Sequence, residues 1–188
     1  MSDLVEVYFG LGCFWHLQHE FIMAERDILN RSDAELTAVV GYAGGTEIGL
    51  NGQVCYYAGG SESLGYYAPL GHGEVVNMKI PKDKFKDFAT VYFDNFVNGD
   101  RKDWMDIGAE YRHLVGIPGG LNSDLYSLLE EAQNDSGNGI TLKEGLGNDP
   151  DNLGDSSTWI MDSDDFPFFM GELYHQFHDD FLPGGYYE

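Results

Sequence analysis

Basic residues are scarce in this sequence of 188 residues. It has 10 Lys and Arg against 32 Asp and Glu, which gives a formal net charge of -22 at pH 7. Such a charge repels phosphate backbones and anionic headgroups, so binding of nucleic acid or of a lipid surface through a basic patch is excluded. The acidic surplus keeps an aromatic-rich chain soluble, and a cationic partner is the alternative explanation.

Long hydrophobic runs are also absent. A transmembrane helix needs about 18 consecutive apolar residues or more, and no segment of the chain approaches that length. The first residues, Met-Ser-Asp-Leu-Val-Glu, lack the basic and apolar regions of a secretory signal. We therefore expect a cytoplasmic protein without a membrane partner.

Cysteine is limited to Cys13 and Cys55. Two thiols are too few for a disulfide scaffold or for a zinc site with four thiolates, so each cysteine is interpreted singly. The acidic segment 148–165 does not fit a calcium loop, because Leu153 and Ile160 stand at positions that need oxygen ligands. We predict a solvated, mobile loop there, and no bound metal or other cofactor.

The apolar content is sufficient for one core. Hydrophobic residues make up 43% of the chain and aromatic residues 14%, which excludes an acidic disordered tail. We predict a single domain over 1–188, with an inserted loop at about 56–70 and an acidic loop at about 147–165.

Apolar periodicity predicts interleaved strands and helices. Apolar runs indicate strands at 5–9, 36–42, 74–80, 111–116 and 140–146, and spacings of three and four indicate helices at 13–30, 84–96, 121–133 and 171–181. This order favours an α+β fold with a mixed or antiparallel sheet. The Gly-x-Gly turn at 10–12 lacks the third glycine of a dinucleotide-binding motif, because Trp15 occupies its place.

Cys13 lies at the start of the first predicted helix, directly after that turn. Unpaired backbone N–H groups and the positive end of the helix dipole favour a thiolate there, so we expect a lowered pKa and a nucleophilic sulfur. Phe14 and Trp15 would form an apolar wall beside it, suited to a small uncharged group such as a methyl. The alternative is a buried structural cysteine beside two core aromatics.

Six short motifs follow one another along the chain. They are Gly12-Cys13-Phe14-Trp15, Val40-Gly41-Tyr42-Ala43-Gly44-Gly45, Val54-Cys55, Gly71-His72-Gly73-Glu74-Val75-Val76, Asp106-Ile107-Gly108-Ala109-Glu110-Tyr111-Arg112 and Glu172-Leu173-Tyr174-His175-Gln176. In these motifs and their order, the sequence resembles the type A peptide methionine sulfoxide reductases over nearly its whole length. The resemblance implies a ferredoxin-like two-layer sandwich with long loops. It also implies an enzyme that reduces the S epimer of methionine sulfoxide, protein-bound or free.

The resemblance implies roles for individual residues. Cys13 corresponds to the nucleophile and Glu74 to the general acid, while Asp106 and Tyr111 correspond to polar groups near the sulfoxide oxygen. The matching motifs also supply the substrate-binding positions, which are Phe14, Trp15, His72 and His175.

The chemistry needs these residue types together. A sulfoxide sulfur becomes electrophilic only when its oxygen is protonated or strongly hydrogen-bonded, so a thiolate needs an acid facing it. A glutamic acid kept neutral by burial can supply that proton. Attack by Cys13 then releases the thioether and leaves a sulfenic acid, the first and reversible product of cysteine oxidation.

The chain departs from the family pattern before Cys55. A tyrosine usually lies three or four residues before the Val-Cys pair, where this chain has Leu50 and Asn51. The insertion that follows carries four tyrosines, Tyr56, Tyr57, Tyr66 and Tyr67. We hypothesise that one of these phenols replaces the missing hydroxyl; the alternative is that they only pack the loop.

His16 stands where the family usually has glycine, three residues after Cys13. At that helical spacing it could face the sulfur and take or hold its proton. A transition-metal site formed by Cys13 with His16, His19, His72 and His113 is the alternative. We do not expect that site, because the family chemistry needs no metal.

The C-terminal residues contain no cysteine to resolve the sulfenic acid, although many family members have one there. We predict a cycle with one cysteine, in which an external thiol of thioredoxin, or of glutaredoxin and glutathione, attacks the oxidised Cys13. Cys55 is the internal alternative.

Two other functions fit the same residues. One is reduction of another small methyl sulfoxide, since the long loop and His16 would reshape the pocket. The other is a sulfoxide-binding or sensor module with weakened catalysis. The missing tyrosine favours the sensor, and the retained Cys13, Glu74, Asp106 and Tyr111 oppose it.

Overall fold

The computed structural model describes residues 3–56 and 65–180. The strands are β1 (Leu4–Gly10), β2 (Val39–Ala43), β3 (Gly73–Pro81), β4 (Leu114–Ile117), β5 (Thr141–Glu144), β6 (Ser157–Asp162) and β7 (Phe169–Met170). The α-helices are α1 (Phe14–Leu29), α2 (Phe85–Asp94) and α3 (Tyr126–Ser136).

The strands form a mixed sheet of seven in the order β5-β6-β4-β1-β3-β2-β7. Among the central strands β4, β1, β3 and β2, each strand is antiparallel to its neighbours, whereas β6 runs parallel to β4 and β5 parallel to β6. Helix α1 connects β1 to β2 and α2 connects β3 to β4, which makes the central part a ferredoxin-like unit. The predicted α+β class and ferredoxin-like sandwich are confirmed.

Side chains alternate between the two faces of the central strands, as the strand period of two requires. Val7 and Phe9 of β1 lie in the main core, whereas Tyr8 lies in a second cluster with Val75 of β3. The helices contribute to the main core from both connections: Phe14, Leu17, Phe21, Phe85, Phe88 and Tyr92. This packing fixes the N-terminus of α1 at the end of β1.

The segment predicted as an acidic mobile loop, 147–165, contains strand β6, so that prediction is wrong. Four of the six residues of β6 are buried, and the strand lies between β4 and β5. A strand buried on both faces shows no alternation of apolar and polar residues, which is why the periodicity does not reveal it. Asn152, also buried, accepts the His113 N–H at 2.8 Å and so joins this segment to the start of β4.

The predicted C-terminal helix at 171–181 is also wrong. The described residues there form a series of turns that begins with the 3₁₀ turn Leu173–His175. Gln176 gives the physical reason, because its side chain accepts the N–H of Val40 and donates to the Val40 carbonyl oxygen, both at 2.9 Å. Gln18 of α1 accepts the N–H of Phe177 at 2.6 Å. We name residues 172–180 the C-terminal strap.

Some predicted boundaries also differ. Helix α1 begins at Phe14, with Cys13 as its N-cap residue rather than in its first turn. The strand predicted at 111–116 begins at Leu114, because Ala109–Tyr111 forms a 3₁₀ turn. The single domain over 1–188 stays a prediction, and Tyr57 of the inserted loop lies outside the described residues.

Candidate active site

The turn between β1 and α1 brings Cys13 to the start of the helix. Gly12 has a φ of +65°, and a Cβ there would lie 3.0 Å from Oδ2 of Asp106, so the turn requires glycine. The Gly12 N–H donates to the Tyr111 carbonyl oxygen at 3.1 Å. The helix start is therefore tied to the segment 106–111.

Two carboxyl groups bind the N–H groups at the start of α1. The Cys13 N–H donates to Oδ2 of Asp106, and the Phe14 N–H donates to Oε2 of Glu74, each at 3.0 Å. Both donors lack a partner inside the helix, and carboxyl groups are favoured at this end. These N–H groups are consequently not available to a thiolate.

The pKa of Cys13 is raised to about 12, so the expectation of a lowered pKa is wrong. Burial of the sulfur is the largest cause and the charge of Glu74 the next, whereas the Trp15 backbone N–H lowers the pKa. Asp106 and Asp179 raise it further. At neutral pH Cys13 of the free protein is a thiol, and its proton has to leave when the sulfur reacts.

Glu74 on β3 is a buried carboxylic acid. It is 2% exposed, and burial raises its pKa to about 8. Hydrogen bonds from the Phe14 N–H and the Tyr67 hydroxyl lower the pKa without offsetting the burial. Most Glu74 side chains therefore carry a proton at neutral pH, and the Glu74 charge acts on Cys13 only above about pH 8.

Tyr67 of the inserted loop supplies a phenol to this acid. Its hydroxyl donates to Oε1 of Glu74 at 3.0 Å, and Tyr67 is buried. The Tyr42 ring stacks on it with centroids 4.6 Å apart, and the Tyr42 hydroxyl donates to Glu172 at 2.6 Å. The stack holds the Tyr67 phenol against the acid.

Other predicted phenols pack on Tyr67 or lie near the acid. Tyr56 stacks on Tyr67 with centroids 5.6 Å apart, and Tyr66 meets the Tyr67 ring edge-on at 5.4 Å. Burial raises the pKa of the half-buried Tyr111, and four neighbours raise it further: Glu74, Tyr56, Asp106 and Cys13. The structure thus brings the predicted nucleophile, acid and polar partners into one region.

Trp15 and Phe14 have different positions, although the sequence predicts both as walls of the methyl pocket. Trp15 lines the cleft at Cys13, while Phe14 is 1% exposed and lies behind it. The Trp15 indole N–H donates to Nδ1 of His175 at 3.1 Å. His178 stacks on the indole with centroids 3.6 Å and planes 3° apart. Two histidines of the C-terminal strap thereby fix the orientation of Trp15.

A cleft of about 480 Å³ opens onto Cys13. Its lining comes from the helix start, the segment 101–106 and the C-terminal strap, and includes Leu11, Trp15, His16, Trp104, Asp106 and Asp179. Glu74 is not part of this lining and reaches the helix start from the interior, at the Phe14 N–H. Cys13 therefore lies between the cleft and the buried acid.

Two other predicted residues make different contacts. The Gly45 N–H donates to Nδ1 of His72, and Nε2 of His72 donates to the Glu47 carbonyl oxygen. Both ring nitrogens of His72 are thus occupied in holding a loop, and its role in substrate binding stays a prediction. His16, with its side chain 47% exposed, has Nε2 3.7 Å from Oε1 of Glu20 and does not bond to the sulfur.

Sequence reasoning missed the ion pair that holds the Asp106 segment. Arg101 is 4% exposed and donates two hydrogen bonds of 2.9 Å to Asp151. The Arg101 Nε donates to the Asp106 carbonyl oxygen at 2.8 Å, and Asp151 accepts the Gly108 N–H at 2.9 Å. The partners are 50 residues apart in the chain, so no local pattern predicts the pair.

Arg112 joins three of the sequence motifs. Its buried guanidinium donates to the carbonyl oxygens of Ala109 at 2.7 Å, Gly44 at 3.0 Å and Gly71 at 2.9 Å. These carbonyl oxygens belong to segments far apart in the sequence. Arg112 therefore explains how the motifs converge around one site.

Within residues 3–56 and 65–180, no group of three or more His, Cys, Asp or Glu side chains is arranged to hold a metal ion. None of the helices in these ranges is long and apolar enough to cross a membrane.

No protein-family model matches the chain, and no curated protein matches it in sequence. Solved structures similar to it include methionine sulfoxide reductase A of Corynebacterium diphtheriae, at 16% identity and a TM-score of 0.56. That match covers 97% of this chain and 78% of the other. The reduced form of Mxr1 from Saccharomyces cerevisiae matches at 20% identity and a TM-score of 0.53, over 99% of this chain and 91% of the other. The protein therefore has a fold similar to that of methionine sulfoxide reductase A.

Proposed function

We propose that this protein reduces methionine-S-sulfoxide, protein-bound or free, to methionine. The Cys13 sulfur attacks the sulfoxide sulfur while Glu74 protonates the sulfoxide oxygen. The S–O bond of the substrate breaks and the oxygen passes to Cys13, which becomes a sulfenic acid as the thioether leaves. The thiol proton returns to Glu74, so the thiol is oxidised by two electrons and the sulfoxide is reduced by two.

The observation that carries the proposal is the buried carboxyl group of Glu74 at the start of the helix that Cys13 caps. Its carboxyl group accepts the N–H of the residue next to Cys13, and its pKa of about 8 keeps it an acid at neutral pH. A neutral proton donor beside a thiol can protonate the oxygen of a polarised S–O bond. Hydrolysis would instead need a base to activate water. The fold similarity to methionine sulfoxide reductase A supports the same reaction.

The phenols around Glu74 can donate hydrogen bonds to the sulfoxide oxygen as negative charge develops on it. We assign to Tyr67 the position left by the missing family tyrosine, because its hydroxyl already reaches Glu74. Tyr111 supplies a second donor from the segment that Arg101 holds. Asp106 caps the helix, and Trp15 is the apolar surface for the substrate methyl group.

We propose that an external thiol of the thioredoxin type, or of the glutaredoxin and glutathione type, regenerates Cys13. Attack on the sulfenic sulfur gives a mixed disulfide and water, and a second thiol then releases Cys13. Cys55 lies in a separate groove of about 360 Å³ beside Met170 and Glu172. That separation favours the cycle with one cysteine over resolution by Cys55.

One turnover with a sulfenic-acid trap tests the proposal. Mass spectrometry after one equivalent of methionine-S-sulfoxide is expected to show one trapped adduct on Cys13, together with an equal amount of methionine. The Cys13→Ser variant and the R epimer are the matched controls, and each is expected to give neither product. If the wild-type protein forms no methionine from the S epimer, the proposal is overturned.

A sulfoxide-binding sensor is a second candidate. The raised pKa of Cys13 favours it, since a thiol that keeps its proton is a weak nucleophile. A sensor would bind the S epimer and release no thioether in the same experiment.

Reduction of another small methyl sulfoxide is distinguished by comparing single-turnover rates for dimethyl sulfoxide and for N-acetyl-methionine-S-sulfoxide.

A further inference from the structure

Acidic side chains line the cleft at Cys13. Asp103, Asp106 and Asp179 all belong to its lining. Burial is the largest cause of the raised pKa of both Cys13 and Asp106; the charges of Asp106 and Asp179 raise the pKa of Cys13 further, and that of Asp103 raises the pKa of Asp106. The negative potential of these carboxylates therefore reaches the place where the proposed substrate reacts.

The basic residues of the same lining do not balance these acids. Arg101 is neutralised by its two hydrogen bonds to Asp151, and its side chain is 1% exposed. Lys102 is exposed at the rim, and His16 faces Glu20. The net charge of -22 on the whole chain adds to the local excess. A cleft in such a field concentrates cations and repels anions.

Trp104 adds an apolar surface next to these acids. Its indole lines the cleft and is 72% exposed, although a tryptophan is usually at least partly covered. Asp103 precedes it in the sequence and lines the same cleft, so the lining offers both an exposed ring and a carboxylate. The aliphatic stem of Lys or Arg packs on such a ring while the cationic head remains near the ring face or a carboxylate.

We propose that the cleft selects methionine sulfoxide that is flanked by Lys or Arg in a peptide. The inference rests on the proposed function and goes beyond it, because it names the class of peptide. Asp103, Asp179 and Trp104 are its specificity determinants, whereas Cys13 and Glu74 carry out the chemistry. Peptides with acidic flanks are expected to bind poorly.

Binding of matched peptides to the Cys13→Ser variant tests this selection without turnover. Peptides of equal length carry one methionine-S-sulfoxide with two flanking Lys, Gln or Glu residues. At low salt we expect the Lys peptide to bind about tenfold more tightly than the Glu peptide, with the Gln peptide between them. The difference is expected to shrink at about 0.5 M NaCl, where the charges are screened.

Two double variants with the same change of charge complete the test. Asp103→Asn with Asp179→Asn is expected to remove most of the difference between the Lys and Glu peptides. Asp27→Asn with Asp124→Asn is the control, because neither residue lines the cleft. Asp27 lies 14 residues beyond Cys13 on α1, which corresponds to about 21 Å of helix.

Equal affinities for the Lys and Glu peptides would overturn the inference, and so would an equal effect of the two double variants. Turnover of the same peptides by the wild type is measured separately. If no peptide is reduced, the proposed function fails, and the binding ratios still decide whether the cleft selects cationic peptides.

Discussion

The Tyr67 hydroxyl donates a hydrogen bond of 3.0 Å to the carboxyl group of Glu74, and each of the two residues is 2% exposed. Tyr67 comes from the inserted loop and Glu74 from the central strand β3. The bond therefore connects the part of the chain that departs from the family pattern to the proposed acid. Because the bond lowers the pKa of Glu74, its loss is expected to raise that pKa.

Replacing Tyr67 by Phe removes that donor and keeps the aromatic stack on Tyr42. We expect the single-turnover rate to fall about 10²-fold, the usual cost of losing one donor to a developing oxyanion. The pKa of Glu74 is expected to rise above its wild-type value, which the pH profile of the rate reports. Tyr66→Phe is the matched control, because Tyr66 touches the ring of Tyr67 and not Glu74; equal losses in both variants would contradict the assignment.

The single-turnover rate is expected to fall as the pH rises through about 8, because Glu74 then loses the proton that it donates. Alkylation of Cys13 by iodoacetamide is expected to accelerate over the same range, since its thiolate fraction grows toward a pKa of about 12. Glu74→Gln should be slower by about 10²–10⁴-fold and lack the decrease at high pH. A rate that rises in parallel with alkylation would exclude Glu74 as the acid.

The buried Glu74 also predicts how stability depends on pH. Its pKa is about 8 in the folded protein and 4.5 ordinarily, so between these values the folded state holds a proton that the unfolded chain has lost. The contribution to the free energy of unfolding is complete below about pH 4.5 and declines as the pH rises to about 8. Urea unfolding of the wild type and Glu74→Gln at several pH values measures it. A difference between the two proteins that does not change with pH would refute the raised pKa.

His178 orients Trp15 through a parallel stack, so it is a positioning residue in the proposed site. We expect His178→Ala to raise KM for the S epimer about three- to tenfold with little change in kcat, as loss of one aromatic pair implies. His178→Phe keeps a ring over the indole and should restore KM, which a merely destabilising change would not permit. Equal KM values for the Ala and Phe variants would contradict the role of the stack.

The residues that carry the proposed chemistry could be predicted because their motifs are short and local. Cys13 follows a tight glycine turn, Glu74 is the second residue of the buried strand β3, and Asp106 and Tyr111 lie within one turn-rich segment. The α+β class was predictable because β1, β3 and both crossover helices have clear apolar periods, whereas the ferredoxin-like sandwich was implied by the resemblance to the type A peptide methionine sulfoxide reductases. Their roles in catalysis stay a prediction.

Features that depend on distant partners could not be predicted. The pKa of Cys13 depends first on burial of the sulfur and then on nearby acids, and the two acids that take the helix N–H groups come from positions 74 and 106. Strand β6 is buried on both faces and flanked by acidic residues, so it looks like a loop in the sequence. The C-terminal strap has apolar spacing typical of a helix, but Gln176 finds its partners on β2 instead.

The strap also has a consequence for how the protein is made. The hydrogen bond between Trp15 and His175 joins residues 160 positions apart, so it forms only after residue 175 has left the ribosome. Until then the nascent β1-α1 unit presents an uncovered indole beside an oxidisable sulfur. Contacts of such long sequence separation carry a large loop-closure cost and form slowly. A newly synthesised molecule therefore acquires the finished surface around its thiol only after the strap has been made.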